Sequence, residues 1–507
     1  MYISPNTNIR ILQNCPLDNT YDHTIYFSSA SAQASYFQGL TKYTFTNYTY
    51  QRVNRGRLRV QRQAEDLYNC NYMMFQNAAF GSKWFYAFIT SVEYVNNNTS
   101  EITFEIDVMQ TWLFDVTLEQ CYVEREHVMN DSIGANLQPE PVELGEYTSN
   151  GYSDSGHMEN PNVILCTNVN AQGEEVTGGM LAGVYHGTEF LTTSGVSDES
   201  ISQITDIINS IDSWDRLNQE ITACFMYEAD FSRSDVGITK TDPASYTITK
   251  AKNYSDLDGY TPKNNKLYTY PYNYLLVTTD AGDQVELKYE FFSGSSCTFT
   301  MEGSVTANPQ VLLDPLNYMN CSRYRNARLI LSGFPQCTFN IDAFKAWLAQ
   351  TASNPSTLSN AITGAVAGGQ AAGGWGALIG GATSLINTGI SGGMAAMNPP
   401  EVKGTSQTDV AFASHTKDFY FFPISVNADY AKRIDDFFDV YGYAINQHKV
   451  PNRSGRAHWN YVKNKVTNLV ANAPADDVNK IVSIYNKGIT FWKNGSEVGN
   501  YSLNNSL

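Results

Sequence analysis

Charge is scarce in this chain, and its absences are local. Asp, Glu, Lys and Arg make up 16% of the 507 residues, and between Lys345 and Glu401 there is none. From Glu126 to Asp215 Lys and Arg are missing while fifteen Asp and Glu are present, so this window alone holds −15 of the net −17. Tight duplex binding draws largely on Lys and Arg contacts with phosphate, so a static DNA-binding role is disfavoured. Passage of DNA is not, because a wall that repels phosphate weakly does not trap it. A solvated acidic surface is the plainer reading of the window. Asp154, Glu159, Glu174 and Glu175 are the candidates for a calcium site, but no loop motif supports one.

Other absences remove whole classes of chemistry. The eight cysteines stand singly with no C-x-x-C pair, which signals neither a zinc site nor a dense disulfide framework. The seven His show no H-x-H or H-E-x-x-H spacing. No G-x-S-x-G, P-loop or dinucleotide fingerprint occurs. Glu124-Arg125-Glu126-His127 is chemically suggestive, yet such a string could as easily finish a strand. No enzyme activity, metal or cofactor is expected. The N-terminal MYISPNTNIRIL lacks a basic run followed by an apolar one, so export by a signal peptide is not expected either.

What the uncharged stretch contains instead is glycine and alanine. They fill 20 of the 37 positions from Ala361 to Met397. The apolar residues among them are Ala361, Ile362, Val366, Trp375, Leu378, Ile379, Leu385, Ile386, Ile390, Met394 and Met397. Gly and Ala bury little area, so the segment is poor core material. It is no ordinary membrane anchor, because Gln370, Thr383, Ser384, Asn387 and the glycines interrupt every window of the ~20 apolar residues a spanning helix needs. Eleven glycines, at about 1 kcal/mol each, oppose a lone helix in water. Gly364 with Gly368, Gly369 with Gly373, Gly376 with Gly380 and Gly389 with Gly393 fall at a spacing that lets helices approach closely in lipid. Gly374 stands beside them. The candidate membrane-active residues are therefore the apolar set above together with Gly368, Gly369, Gly373, Gly374 and Gly380. A flexible linker or a buried Gly/Ala hairpin competes with this reading, but linkers rarely carry Trp375, Leu378 and Ile379. The segment resembles the fusion and pore-lining segments of proteins that enter membranes on cue.

The rest is patterned mostly as β-sheet, with 33 Tyr favouring a β-rich extracellular or particle-associated protein over a helical cytosolic one. Lys83–Tyr94, a break at Asn96-Asn97-Asn98, and the alternation of Ile102, Phe104, Ile106 and Val108 with Thr103, Glu105 and Asp107 predict a hairpin with one buried and one polar face. Leu275–Thr279, Val285–Phe292 and Thr298–Val305 read as further strands. Helices are expected at Ile201–Trp214, at Tyr430–Tyr441 ending on Gly442, and from Pro474 to Gly488. Asn494-Gly495 reads as a hairpin turn. Among Arg52, Arg55, Arg57, Arg59 and Arg62, a strand would set Arg55, Arg57 and Arg59 on one face and Leu58 and Val60 on the other. That face is a candidate subunit interface; a DNA-facing patch or a plain exposed face are the alternatives.

Longer motifs carry a resemblance. Asn8-Ile9-Arg10-Ile11-Leu12, Met74-Phe75-Gln76-Asn77-Ala78, Lys83-Trp84-Phe85-Tyr86-Ala87-Phe88, Phe104 through Asp115 and Arg125-Glu126-His127-Val128 open the chain. Phe437-Phe438, Tyr441-Gly442-Tyr443, Ile445-Asn446, Gly488-Ile489-Thr490, Trp492 and Gly499-Asn500-Tyr501-Ser502 close it. Together they resemble the tail knob, or distal tail tube, proteins of small short-tailed bacteriophages that infect Gram-positive bacteria. The resemblance covers roughly the first 130 and last 100 residues.

The resemblance implies a mainly β, α+β fold with tail-tube-like β-barrel domains, six copies closed into a tube. It implies long apolar loops that occupy the lumen and later help breach the cytoplasmic membrane, with DNA following without tight binding. It also implies upper tail or collar proteins and a tail-tip protein as partners. Residues 1–130 would form the N-terminal part of the tube, 131–345 a central acidic, β-rich region, 346–400 the membrane-active loop, and 401–507 the C-terminal part of the tube. A receptor-binding or wall-degrading tail protein and a pore-forming toxin are the competing classes.

Overall fold

A computed structural model of the chain describes residues 6–48, 56–155, 162–167, 180–181, 184–185, 189–192, 221–227, 245–279, 281–304, 310–332, 336–337 and 418–507. They divide into two compact units. The first comprises the described parts of Met1–Glu146, Gly259–Thr269 and Val426–Leu507; the second those of Tyr147–Asp258 and Tyr270–Ser425. The fold is mainly β with a few helices.

The first unit is built around a six-stranded sheet. Its strands lie side by side in the order Thr41–Tyr48, Thr7–Gln13, Cys70–Gln76, Trp84–Asn96, Thr99–Ile106 and Arg57–Val60. All pairings are antiparallel. The expected hairpin is the pair Trp84–Asn96 and Thr99–Ile106. Its turn forms because the Asn96 side chain accepts from the Asn98 N–H at 2.9 Å, the local bond that makes Asn a turn residue.

The face assignment differs from the simple alternation. Tyr72, Met74, Tyr86 and Phe88 enter one apolar cluster, with Phe37, Ile481 and Tyr485. Met73, Phe75, Ala87 and Ile102 enter another, with Ile9, Ile11 and Val60. The middle of the sheet is thus covered on both faces, and period-2 alternation sorts side chains between two cores rather than between core and water. The strand also ends before Val108: Asp107 is buried and caps a helical turn, Val108–Thr111, so Val108 is a helical core residue rather than a strand residue.

A five-stranded sheet joins the two ends of the chain, in the order His23–Ile25, Ile489–Trp492, Trp459–Val466, Cys121–Glu126 and Tyr443–Lys449. The two expected C-terminal helices are present as Ala428–Tyr441 and Ala475–Lys487. The first is capped by Asn427, which accepts from the Tyr430 N–H at 3.0 Å, and stops at Gly442 with φ +64. A Cβ at Gly442 would collide with the Glu126 carbonyl, so only glycine fits. Asn494-Gly495 is not a hairpin turn: Asn494 caps a short 3-10 turn, Gly495–Glu497, accepting from the Ser496 N–H.

In the second unit two four-stranded sheets share one core. One runs Tyr147–Ser149, Phe419–Val426, Asn273–Thr279, Gln284–Leu287; the other Ser245–Ala251, Ser296–Ser304, Gln310–Leu316, Leu329–Leu331. Leu275, Val277, Phe419 and Phe421 from the first meet Phe299, Met301, Val311 and Leu313 from the second. The expected strand Val285–Phe292 stops at Leu287, and Tyr289–Phe291 makes a 3-10 turn that buries Tyr289. A third sheet orders Glu189–Thr192, Asn162–Thr167, Ile221–Tyr227 and Gln336–Cys337. The expected helix Ile201–Trp214 and Val305 lie outside the described residues.

Candidate functional site

The arginine strand, Arg57–Val60, lies at one edge of the six-stranded sheet. Arg57 and Arg59 are exposed, Leu58 is half-buried and Val60 is buried, as the alternation predicts. Pairing sets Arg57 opposite Thr103 and Arg59 opposite Glu101. Both guanidinium groups reach Glu101, Arg57 at 3.1 Å and Arg59 at 2.8 Å. The hydrogen bond from Arg59, with the charge of both arginines, holds the Glu101 carboxyl below its usual range. Two cations thus share one anion, and Glu93 stands opposite Glu101 on the next strand. Farther along the same hairpin Tyr94 and Val95 are exposed, at 60% and 40%.

The other sequence-predicted site residues are not placed. Arg52, Arg55 and the whole of Ala361–Met397 lie outside the described residues. That covers the closely spaced glycines Gly368, Gly369, Gly373, Gly374 and Gly380. It covers equally the apolar residues Ala361, Ile362, Val366, Trp375, Leu378, Ile379, Leu385, Ile386, Ile390, Met394 and Met397.

The motif Phe104–Asp115 is explained by buried polar bonds. Asp107 accepts from the Gln110 N–H at 3.0 Å and from the Tyr72 hydroxyl at 2.7 Å. Burial pushes its carboxyl up to about 6. The Gln110 side chain donates to the Thr24 hydroxyl and the Ile25 carbonyl, each at 2.8 Å, and accepts from Gln33 at 2.8 Å. Trp112 donates to Asp477 at 2.9 Å and lies under the Lys83 ammonium, which also meets Asp115.

Arg125-Glu126-His127 is likewise structural. Arg125 donates to the Gly442 carbonyl at 2.6 Å, stacks over the Phe437 ring at 4.7 Å and pairs with Glu140. Lys266 pairs with the other oxygen of Glu140, and burial lowers its ammonium below the usual lysine range. Glu126, fully buried, pairs with Lys449 and accepts from the Asn452 N–H. His127 accepts at Nδ1 from the Tyr461 N–H at 2.8 Å, which leaves Nε2–H to donate to the Asp439 carbonyl at 2.9 Å. Burial, with Arg456 nearby, pushes its pKa down to about 3, so the ring is neutral. These side chains are buried and consumed in packing.

The same bonds revise the acidic window. Glu126 and Glu140 are buried ion-pair partners, and Asp131 accepts from the Tyr443 hydroxyl at 2.6 Å and the Asn265 N–H at 3.1 Å. Glu143, Glu146 and Asp154 are exposed. Part of the window is therefore a bonding set for the returning segment Gly259–Thr269, not a solvated face. Glu159, Glu174 and Glu175 lie outside the described residues. Among the described residues no three His, Cys, Asp or Glu come together as a metal site, and no helix is long and apolar enough to cross a membrane.

Residues 237–506, more than half of the chain, match the family defined by the C-terminal domain of the tail knob protein gp9 of Bacillus phage phi29. The chain belongs to this tail knob family. Residues 5–117 match the N-terminus of caudoviral major tail proteins. Tail knob proteins gp9 of Bacillus phages B103, PZA and phi29 are 25%, 26% and 27% identical, each over 99% of this chain and 98% of the relative. The tail knob protein gp12 of bacteriophage C1 shares the fold with TM-score 0.62 over 98% of this chain and 99% of its own, at 13% identity. This tail knob chain is a structural component of the virion at the distal tail, and not an enzyme.

Proposed function

We propose that the chain closes into a hexameric distal tail tube through which the genome leaves. In this reading Ala361–Met397, with flanks to about 346 and 400, plugs the lumen and then helps open the host cytoplasmic membrane. The observation that carries it is the uncharged Gly/Ala stretch inside a tail knob chain, between the strands Gln336–Cys337 and Phe419–Val426. An apolar patch of several hundred Å² left in water promotes association, so six copies need shelter before infection. The glycines keep the segment from committing to one fold in water. In lipid, copies that pack closely at Gly368, Gly373 and Gly380 satisfy backbone groups that a single irregular segment leaves unpaired. Upper tail or collar proteins above and a tail-tip protein below complete the assembly, and exposed acidic side chains keep DNA from sticking as it passes.

Deletion of Ala361–Met397 tests this reading. The shortened chain should still assemble, by mass measurement in the particle, but should no longer release dye from lipid vesicles. Particles carrying it should adsorb and deliver no DNA. Full infectivity of those particles would overturn the proposal.

A further inference from the structure

Arg456 breaks the pairing that Arg125 and Lys266 keep. It is 3% exposed, and a buried arginine is almost always paired. Its guanidinium carries five N–H donors and no acceptor. One of them, on Nη1, reaches the Asn505 carbonyl at a long 3.4 Å. Nε is buried and has no partner among the described residues. Asp131 and Asp439 act on the guanidinium through space and make no bond to it. Asp131 is spent on the Tyr443 hydroxyl and the Asn265 N–H, and Asp439 on Lys263 and Asn264.

A second unspent donor stands beside it. Asn460 is fully buried, and its Oδ1 accepts from the Arg456 N–H at 2.9 Å, which holds the amide against Arg456. Its Nδ2 has no partner among the described residues. We propose that the Arg456 guanidinium and Asn460 Nδ2 bind a small inorganic anion of the size of chloride, which serves as counter-ion to the guanidinium.

The donor count selects an anion over water. Both unspent groups donate, and the one acceptor of the Asn460 amide is taken. A ligand that only accepts satisfies both, whereas a water brings two hydrogens that need acceptors of their own. Charge points the same way. Arg125 and Lys266 share the one carboxylate of Glu140, and Arg456 is paired with none. The nearby acids Asp131 and Asp435 are bonded by uncharged donors, and burial pushes both carboxyls above their usual range, toward the neutral form. Burial also limits the size of the ligand, because a close-packed interior leaves no room for a large one. Asn505 donates to the Trp459 carbonyl at 2.8 Å and accepts from the Trp459 N–H at 3.2 Å, so the ion ties the last residues of the chain to the strand Trp459–Val466. It does so whether or not Ala361–Met397 acts on a membrane.

The test is ion-specific stability of the full-length chain. Denaturation midpoints are measured in rising sodium chloride and in sodium gluconate at matched ionic strength, gluconate being too large to enter. A ligand bound by the folded state alone raises stability with its concentration. Wild type should therefore be more stable in chloride than in gluconate, and the difference should grow with concentration. Arg456→Gln should abolish the difference. Asn460→Asp keeps the acceptor for the Arg456 N–H and sets a carboxylate beside the guanidinium, so it should fold and lose the chloride dependence. That variant keeps the test alive if Arg456→Gln does not fold. Crystals grown in sodium bromide should show an anomalous peak within hydrogen-bond distance of Arg456 Nε and Asn460 Nδ2. A wild type indifferent to chloride, an equal chloride dependence in Asn460→Asp, or a water at that position in bromide crystals would overturn the proposal.

Discussion

Two sets of charged motif residues in the first unit behave oppositely. Arg125, Glu126 and Glu140 are sunk into the protein and matched to Gly442, Phe437, Lys266 and Lys449. Arg57 and Arg59 stand on an edge strand with their side chains 57% and 68% exposed, sharing the single carboxylate of Glu101. The sequence string Glu-Arg-Glu-His looks chemical and is architectural; the arginine strand looks merely repetitive and is the set left exposed. Burial decides which charges hold a fold together and which can meet a partner. A buried ion whose partner is removed keeps its desolvation cost, whereas a surface ion regains water.

The largest effect should come from the buried set. Glu140→Ala strips two cations, Arg125 and Lys266, of their shared partner. The loss should be about 3–5 kcal/mol, the range found when one member of a buried ion pair is removed. Chemical denaturation followed by tryptophan fluorescence measures it, since Trp459 and Trp492 lie in the same unit. Glu140→Met combined with Lys266→Met should recover part of the loss, because fewer buried charges are left unmatched. A loss under about 1 kcal/mol for Glu140→Ala alone would place these residues with the surface set and break the distinction.

Acid should sharpen the comparison, at an intermediate magnitude. His127 is neutral when folded, with its pKa depressed to about 3 against 6.5. Between those values the unfolded chain binds the proton and the folded one does not, so stability falls as pH drops from 6.5 toward 3. The slope reaches at most about 1.4 kcal/mol per pH unit. Asp107 works the other way. Its folded pKa, raised to about 6 from 3.8, means that the folded form takes up the proton first, so its contribution weakens as pH rises from 3.8 to 6. His127→Gln should flatten the acid limb of the stability curve measured from pH 7 to pH 4, and Asp107→Asn should steepen it. Identical curves for wild type and His127→Gln would remove His127 as the source.

Much of the first unit was legible because local rules and tertiary context agree there. The Asn96–Asn98 turn, the helix over Tyr430–Tyr441 and its stop at Gly442 are short-range signals that the fold keeps. The failures came where long-range contacts override period. Ile102, Phe104 and Ile106 read as one buried face, yet the sheet's middle is covered on both sides, and Asp107 is withdrawn from the polar face by Tyr72 and Gln110. Nothing local marks Gly259–Thr269 as returning to the first unit. It is pinned there by Asp435, which accepts from the Tyr260 hydroxyl at 2.8 Å and the Lys263 N–H at 2.7 Å, some 170 positions away.

The smallest effect on stability, and the one that tests the surface set directly, belongs to Arg57 and Arg59. Exposed ion pairs contribute roughly 0–1 kcal/mol, and Glu101 can replace either arginine with water. The double reversal Arg57→Glu, Arg59→Glu should therefore shift the denaturation midpoint of the isolated chain only slightly. It does turn two cations beside Glu101 and Glu93 into two further carboxylates, four in all. If this edge meets a neighbouring subunit, like charge at the contact opposes closure of the ring far more than it opposes folding, because repulsion that water screens on a free surface is screened less once the surface is covered. The expected result is a chain that folds normally and assembles poorly, with assembly restored in part by high salt. Wild type should meanwhile show no tight retention of duplex DNA at physiological salt. A variant that assembles normally would remove the arginine strand from the subunit contact, and tight duplex binding by wild type would assign the strand to DNA instead. Either outcome leaves the buried set untouched, since Arg125 and Lys266 are already spent on Glu140.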